Sequence, residues 1–237
     1  MISQIEAYSL AKNYDGLRAL NQVSVRADCE KVTAIVGMNG SGKTTLLRLL
    51  AGLDVPSDGK ILIDTRAVTT EELRGQSTMV FQKSVMLGGK VYDNVAYGLR
   101  VNELPRRKIP ERVKSALTCV NLNGFEKREA RKLSSGEQQR VALARALALE
   151  RSVILIDEPT ANLDPANAMI IEQSIKEATH SRVVIITTHD LAQARRISHT
   201  IVHLYQGSVV EQRETTAFFA NPLDERTKRF IKGELQF

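Results

Sequence analysis

The sequence is poor in cysteine and in aromatic residues, and it has no long apolar run. Its 237 residues include two cysteines, no tryptophan and 5% aromatic residues. Two cysteines cannot build a disulfide framework, and they fit a reducing compartment. Because no cysteine–histidine cluster surrounds Cys29 or Cys119, we expect both to be buried small apolar residues rather than metal ligands.

No stretch reaches the roughly 20 apolar residues that a membrane-spanning helix needs. The first ten residues also lack a basic segment followed by an apolar one, so a secretory signal is not expected. Hydrophobic residues make up 43% of the chain and charged residues 25%, which is a globular composition and excludes disorder as the main state. We therefore expect a folded protein in the cytoplasm.

The charge balance is slightly basic, with 33 Lys and Arg against 27 Asp and Glu and a net charge of +6. The densest basic cluster is Arg106–Lys108, which stands between Pro105 and Pro110. It is either a solvated loop or a surface that faces acidic lipid headgroups. Basic and aromatic residues do not alternate as they do in single-strand binders, so no nucleic-acid partner is expected.

Strand and helix patterns alternate on both sides of a helical stretch. Val153–Ile156 and Val183–Ile186 are continuous aliphatic runs, which are typical of central parallel strands covered on both faces. Between positions 84 and 129, apolar residues recur at helical spacing, and an alanine-rich helix pattern follows at 141–149. The pattern predicts a doubly wound α/β core with a helical insertion.

A glycine-rich segment between a predicted strand and a predicted helix matches the pattern G-x-x-x-x-G-K-S/T. The nucleotide-binding residues predicted from it are Gly37, Met38, Asn39, Gly40, Ser41, Gly42, Lys43, Thr44 and Thr45. The glycines let backbone N–H groups turn inward on phosphate oxygens, and the following helix directs its positive end at the same anion. We expect Lys43 to neutralise the β- and γ-phosphates and the Thr44 hydroxyl to ligate Mg²⁺.

The first aliphatic run ends in Asp157-Glu158-Pro159. An acid at a strand end beside a phosphate loop can supply a second Mg²⁺ contact, so we assign this role to Asp157. Glu158 is then placed to orient and deprotonate an attacking water. This arrangement favours hydrolysis over transfer to a bound acceptor.

A further segment, Leu133–Arg140, opens the alanine-rich helix. Ser134 and Glu137 have the S-x-x-E spacing of a capping box. From the residues alone, the segment is either a plain helix cap or an anion site at a helix N-terminus.

This segment resembles the signature motif of ABC-type ATPases, and the other motifs of that family occur in its order, from about Tyr14 to about Gln212. By this resemblance Tyr14 stacks on adenine, Gln82 is the Q-loop glutamine that contacts Mg²⁺, Asp164 belongs to the D-loop, and His189 is the switch histidine. The signature residues implied to bind nucleotide are Ser134, Ser135, Gly136, Glu137 and Gln138.

The resemblance implies a P-loop NTPase (RecA-like) core with a mainly parallel sheet, an antiparallel β subdomain and an α-helical insertion subdomain. It places one ABC ATPase domain over 1–237. Residues 1–84 and 141–237 form the core with its N-terminal β subdomain, and 85–140 form the helical subdomain that carries the signature motif.

The resemblance also implies a mechanism in which two copies meet head to tail. ATP would lie between the phosphate loop of one copy and Ser134–Gln138 of the other, with Glu158 activating water and His189 holding the γ-phosphate. Ser135 stands where the family usually has glycine, and Ala161 where it commonly has serine. Neither change removes a catalytic group, so we expect activity, at a reduced rate.

The stretch Val91–Leu99 resembles the part of importer ATPases that receives the membrane subunit, and Phe230–Leu235 resembles ATPases of inorganic oxyanion uptake, such as tungstate or molybdate. This implies membrane permease subunits and, indirectly, a solute-binding protein as partners, with the chain on the inner face of the cell membrane. Two alternatives stay open: an exporter ATPase, and a soluble ABC ATPase that acts on nucleic acid or ribosomes.

Overall fold

The computed structural model describes residues 2–234, so Leu235 of the oxyanion-type segment lies outside the described residues. The strands are β1 Gln4–Tyr14, β2 Leu17–Asp28, β3 Val32–Val36, β4 Asp58–Ile63, β5 Arg66–Ala67, β6 Ser77–Val80, β7 Val153–Asp157, β8 Val183–Thr188, β9 Thr200–Tyr205 and β10 Ser208–Glu214. The α-helices are α1 Lys43–Leu50, α2 Thr70–Gln76, α3 Val91–Val101, α4 Ile109–Cys119, α5 Ser135–Ala148, α6 Pro165–Glu177, α7 Leu191–Ile197, α8 Thr215–Ala220 and α9 Glu225–Ile231.

The central sheet has the order β10-β9-β3-β8-β7-β6, and its pairings are parallel except for β9 with β10. Every residue of β3, β7 and β8 is buried, as expected for strands with helices on both faces. The predicted mainly parallel α/β core is confirmed. A second sheet, β2-β1-β4-β5, is antiparallel, which confirms the antiparallel β part of the prediction.

Helices α3, α4 and α5 pack on one another and supply the helical insertion. Their apolar faces share one core, in which Val95, Val113, Leu117 and Val141 are fully buried. Helix α5 begins at Ser135, six residues before the alanine-rich pattern, because the capping box of Ser134 starts the helix there. The predicted subdomain boundary at 140/141 therefore lies inside α5.

The expectation of two buried cysteines is wrong. Cys119 is exposed, and Cys29 is partly exposed. Helix α4 is amphipathic: Ala116 and Leu117 face the core, whereas Cys119 lies at its last position on the outer side.

Among the described residues, no helix is both long and apolar enough to cross a membrane.

Candidate nucleotide-binding site

The predicted phosphate loop connects β3 to α1 at the carboxyl end of the central sheet. Strand β8 lies between β3 and β7, so the loops that follow these three strands meet at one edge. Crevices at the carboxyl ends of parallel strands are the usual ligand sites of such sheets. The register therefore places Asp157 and Thr187 side by side, close to the phosphate loop.

Two glycines of the loop are required by close approach to backbone. A Cβ at Gly37 would lie 2.1 Å from the Leu204 carbonyl oxygen, and one at Gly42 would lie 2.8 Å from the Ala19 carbonyl oxygen. Gly42 also has a φ of 103°, in the region that favours glycine, and it is the N-cap of α1. The loop thus bends tightly before the helix, with its concave side left for an anion.

Lys43 lies at the base of this loop. Its Nζ donates hydrogen bonds to the carbonyl oxygens of Gly37 at 2.8 Å and Met38 at 3.0 Å. Burial lowers the pKa of Lys43, while the nearby charges of Glu158 and Asp157 act in the opposite direction. The Lys43 ammonium group therefore lies between loop carbonyl oxygens and two carboxylates, at a position where it can contact a phosphate bound in the loop.

Ser41 supplies an observation that fits a phosphate ligand. Its hydroxyl is buried and has no hydrogen-bond partner within residues 2–234. A buried hydroxyl without a partner is unfavourable, and a phosphate oxygen would provide the acceptor. The loop residues present therefore fit a bound phosphate chain.

Asp157 receives a hydrogen bond on each carboxylate oxygen. Thr44 Oγ1 donates to Oδ2 at 2.8 Å, and Thr187 Oγ1 donates to Oδ1 at 2.5 Å. The two residues predicted to contact Mg²⁺, Thr44 and Asp157, are thus adjacent. Thr187 was not predicted, because its only sequence signal is a hydroxyl residue at the end of an aliphatic run.

Glu158 and His189 contact each other, with Glu158 Oε2 at 2.9 Å from His189 Nδ1. The Glu158 side chain is only 9% exposed, whereas that of His189 is 60% exposed. Glu158 also has a φ of 46°, an uncommon value for a residue with a side chain. Such strained residues concentrate at functional sites, which agrees with the role assigned to Glu158.

A cavity of about 540 Å³ brings nine of the predicted residues together. Predicted residues that line it are Tyr14, Asn39, Gly40, Gly42, Lys43, Thr44, Thr45, Gln82 and Glu158. Arg18 and Gln206 also line it and were not predicted. Arg18 is the second residue of β2, Gln206 lies in the turn between β9 and β10, and neither belongs to a motif. The cavity extends from the phosphate loop to the aromatic ring of Tyr14, as a nucleotide requires.

Tyr14, the last residue of β1, is held in place by Asp54 and Lys12. Its hydroxyl donates to Asp54 Oδ2, and Lys12 pairs with Asp54 Oδ1 at 2.7 Å while lying 4.8 Å from the centre of the Tyr14 ring. Partial burial opposes ionisation of Asp54, but hydrogen bonds from Lys12 and Tyr14 outweigh it and lower its pKa to about 2. Asp54 is thus an ionised anchor for Tyr14.

The signature segment does not line this cavity. Ser134 caps α5: its Oγ accepts from Glu137 N at 3.3 Å, and Glu137 Oε2 accepts from Ser134 N at 2.8 Å. Ser134 and Ser135 are exposed at this helix start. The capping box predicted from the spacing is present.

Asp164, also outside the cavity, caps α6 and contacts Asn167. Asp164 Oδ1 accepts from Asn167 N at 3.0 Å, and Oδ2 accepts from Asn167 Nδ2 at 2.6 Å. A Cβ at Gly136 would lie 2.5 Å from Asn167 Cγ. The starts of α5 and α6 are therefore in direct contact, which joins the signature segment to Asp164.

A family model described as ABC transporter matches residues 20–161, more than half of the chain. The chain belongs to the ABC transporter family. It is 41% identical to the phosphate import ATP-binding protein of Natronomonas pharaonis, over 96% of this chain and 86% of that protein. It is 37% identical to the tungstate uptake system ATP-binding protein of Peptoclostridium acidaminophilum, over 88% of this chain and 97% of that protein.

A solved structure supports the same family. The structure of cbiO1 from Clostridium perfringens, part of the ABC transporter complex cbiONQ, matches with a TM-score of 0.85 and 31% identity. The match covers 93% of this chain and 92% of that chain. The P-loop fold is confirmed, and this ABC protein is an ATPase coupled to transport.

The individual roles of the site residues in this ABC ATPase stay predictions. The structure gathers Tyr14, Lys43, Thr44, Gln82 and Glu158 around one cavity. His189 and Asp157 join them through direct contacts with Glu158 and Thr44. The signature residues and Asp164 lie elsewhere, beside each other.

Proposed function

We propose that this chain is the ATP-hydrolysing subunit of a membrane importer for an inorganic oxyanion, such as phosphate, tungstate or molybdate. The observation that carries the hydrolysis is the placement of Lys43, Asp157 and Glu158 at one sheet edge, with His189 against Glu158. The importer and anion parts are supported by the relatives whose names give phosphate import and tungstate uptake.

Within this proposal, the loop N–H groups, Ser41 and Lys43 hold the phosphate chain of ATP. Thr44 and Asp157 would hold Mg²⁺ through hard oxygen ligands, and Gln82 lines the same cavity. When bound, Mg²⁺ would neutralise charge on the phosphate oxygens. The Glu158 carboxylate orients the attacking water and accepts its proton. His189 moves away from Glu158 and contacts the γ-phosphate instead.

The signature segment has a role in this proposal only if a second copy supplies it. Ser134 and Ser135 are exposed at the N-terminus of α5, where free N–H groups attract an anion. They do not line the chain's own cavity. We therefore propose a head-to-tail homodimer in which ATP favours the closed state and hydrolysis releases it.

A groove of about 370 Å³ beside Gln82 is proposed to receive the permease. It lies between the loop after β6 and the helices α3 and α5. Phe81, Val85 and Tyr97 line it and are 46%, 65% and 53% exposed. Exposed apolar clusters commonly mark protein contacts, and Tyr97 lies in the predicted stretch Val91–Leu99. The ATPase would thus sit against the inner face of the membrane.

The test is co-expression with candidate permease subunits, purification of the complex and reconstitution in liposomes. We expect ATP turnover to rise when a binding protein loaded with phosphate, tungstate or molybdate is added to the opposite side. Tyr97→Asp should prevent co-purification and leave nucleotide affinity unchanged. Stimulation only by a solute without an oxyanion group would contradict the anion assignment, and stimulation from the ATP side would indicate an exporter.

The soluble alternative has its own outcome in the same preparation. Binding of the ATPase to nucleic acid or ribosomes that weakens steeply with salt would support it. We expect no such binding.

A further inference from the structure

Thr187 is the next-to-last residue of β8, two positions before His189, and no motif assigns it a role. It is fully buried near the end of β8, and the parallel register pairs it with Asp157 of β7. Its hydroxyl lies 2.5 Å from Asp157 Oδ1 and 3.1 Å from the backbone nitrogen of Glu158. One side chain therefore contacts both acidic residues of the site.

The direction of both hydrogen bonds follows from the groups involved. An ionised carboxylate can only accept, and a backbone N–H can only donate. The single hydroxyl hydrogen of Thr187 therefore points at Asp157. The hydroxyl oxygen of Thr187 accepts the hydrogen bond from the Glu158 N–H. The other oxygen of Asp157 accepts from Thr44, so the carboxylate is fixed from both sides.

The backbone of Glu158 needs such support. Its φ of 46° lies in the left-handed region, which residues with a Cβ rarely adopt. A strained conformation persists only when its surroundings hold it. Both the hydroxyl and the carbonyl oxygen of Thr187 lie within reach of the Glu158 nitrogen, at 3.1 and 3.2 Å.

We propose that Thr187 is a positioning residue, whose hydroxyl sets the orientation of the Asp157 carboxylate for Mg²⁺ and holds the Glu158 backbone in its left-handed turn. This rests on the proposed function, in which Asp157 contacts Mg²⁺ and Glu158 is the base. Thr187 itself is fully buried and does not line the nucleotide cavity. Its effect passes through the two acids.

The test compares three variants of the full chain. Thr187→Val keeps the shape and removes the hydroxyl, Thr187→Ser keeps the hydroxyl, and Thr215→Val removes a buried hydroxyl that bonds the Ser198 carbonyl far from the site. The measurements are unfolding stability, ATP turnover, and the affinity for a fluorescent non-hydrolysable ATP analogue with and without Mg²⁺.

We expect Thr187→Val to need about tenfold to a hundredfold more Mg²⁺ to reach full analogue binding, as is typical for groups that orient metal ligands. Its analogue affinity in EDTA should equal that of the parent, and its turnover should fall by a similar factor. Thr187→Ser should restore both, and Thr215→Val should change neither. If Thr187→Val does not fold, Thr187→Ala is measured in the same way.

Two results separate this proposal from the proposed function. If the parent depends on Mg²⁺ and Thr187→Val shows the same Mg²⁺ dependence, the positioning role is overturned and the proposed function stands. If analogue binding by the parent does not depend on Mg²⁺ at all, the assignment of Asp157 is overturned and the role of Thr187 with it.

Discussion

The Nδ1 atom of His189 lies 2.9 Å from Oε2 of Glu158 within one chain. Glu158, the proposed general base, is therefore in contact with His189, the residue proposed to hold the γ-phosphate. For Glu158 to act on water and His189 on the γ-phosphate, this contact has to open or lengthen when nucleotide binds. Since the His189 side chain is mostly exposed and Glu158 is buried, His189 is the partner that can move.

Glu158→Gln should bind ATP as the parent does and hydrolyse it at least about a hundredfold more slowly, because general-base catalysis typically contributes about 10² to 10⁴ in rate. The amide keeps the shape but cannot accept the proton. Single-turnover hydrolysis measures the rate. Gel filtration with ATP measures the dimer, which should persist because ATP is not hydrolysed. The exposed Glu177→Gln is the control and should behave as the parent; hydrolysis by Glu158→Gln at the parent rate would refute the assignment.

Lys43→Ala should lose at least about tenfold in ATP affinity, since a hydrogen bond to a charged group contributes about 1.5 to 3 kcal/mol. Lys43 is buried and close to loop carbonyls, so few other groups can replace its charge. Equilibrium binding of a fluorescent ATP analogue measures the change. Lys176→Ala, on the exposed side of α6, serves for comparison; equal affinities in the two variants would show that Lys43 does not contact phosphate.

Asp54→Asn should weaken adenine nucleotide binding, because the Tyr14 ring loses its ionised anchor. It should also lower the free energy of unfolding at pH 7 by about 1 kcal/mol, after allowing for solvent screening of a partly exposed pair. The folded pKa of about 2 lies below the ordinary 3.8. The stabilisation is therefore present above pH 4 and is lost as the pH falls towards 2.

Urea unfolding of the parent and of Asp54→Asn between pH 2 and pH 7 measures this pH dependence directly. The difference in free energy of unfolding between the two proteins should disappear as the pH falls. Tyr14→Phe keeps the ring and removes only one of the three hydrogen bonds that Asp54 accepts, so its difference from the parent in free energy of unfolding should be smaller. If the difference in free energy of unfolding between the parent and Asp54→Asn stays constant with pH, Asp54 is not the ionised anchor.

Gly136→Ala should destabilise the parent but stabilise an Asn167→Ala background. In the parent the new Cβ collides with Asn167, which then cannot keep its contacts with Asp164. Without the Asn167 side chain, alanine gains about 0.5 to 1 kcal/mol over glycine in a helix. Unfolding of the four proteins gives the coupling. Additive effects would show that the starts of α5 and α6 are not coupled through Asn167.

Motifs made the phosphate loop, Asp157, Glu158 and His189 predictable, because each belongs to a short segment whose strand or helix context is also visible in the sequence. The aliphatic runs likewise predicted β7 and β8 within one or two residues. Thr187 and Asp54 could not be predicted in this way, since their partners lie 30 and 40 positions away and meet them only through strand register or packing. The exposure of Cys119 could not be predicted, because composition does not tell which side of α4 faces the core.

Contacts behind the phosphate loop affect how tightly the loop binds an anion. The Gly207 amide donates to the Ser41 carbonyl at 3.0 Å, and Leu204 packs directly behind Gly37. The hairpin of β9 and β10 thus keeps the cradle in shape before any ligand arrives. Little backbone freedom remains to be lost on binding, so a larger share of the contact energy is expressed as affinity.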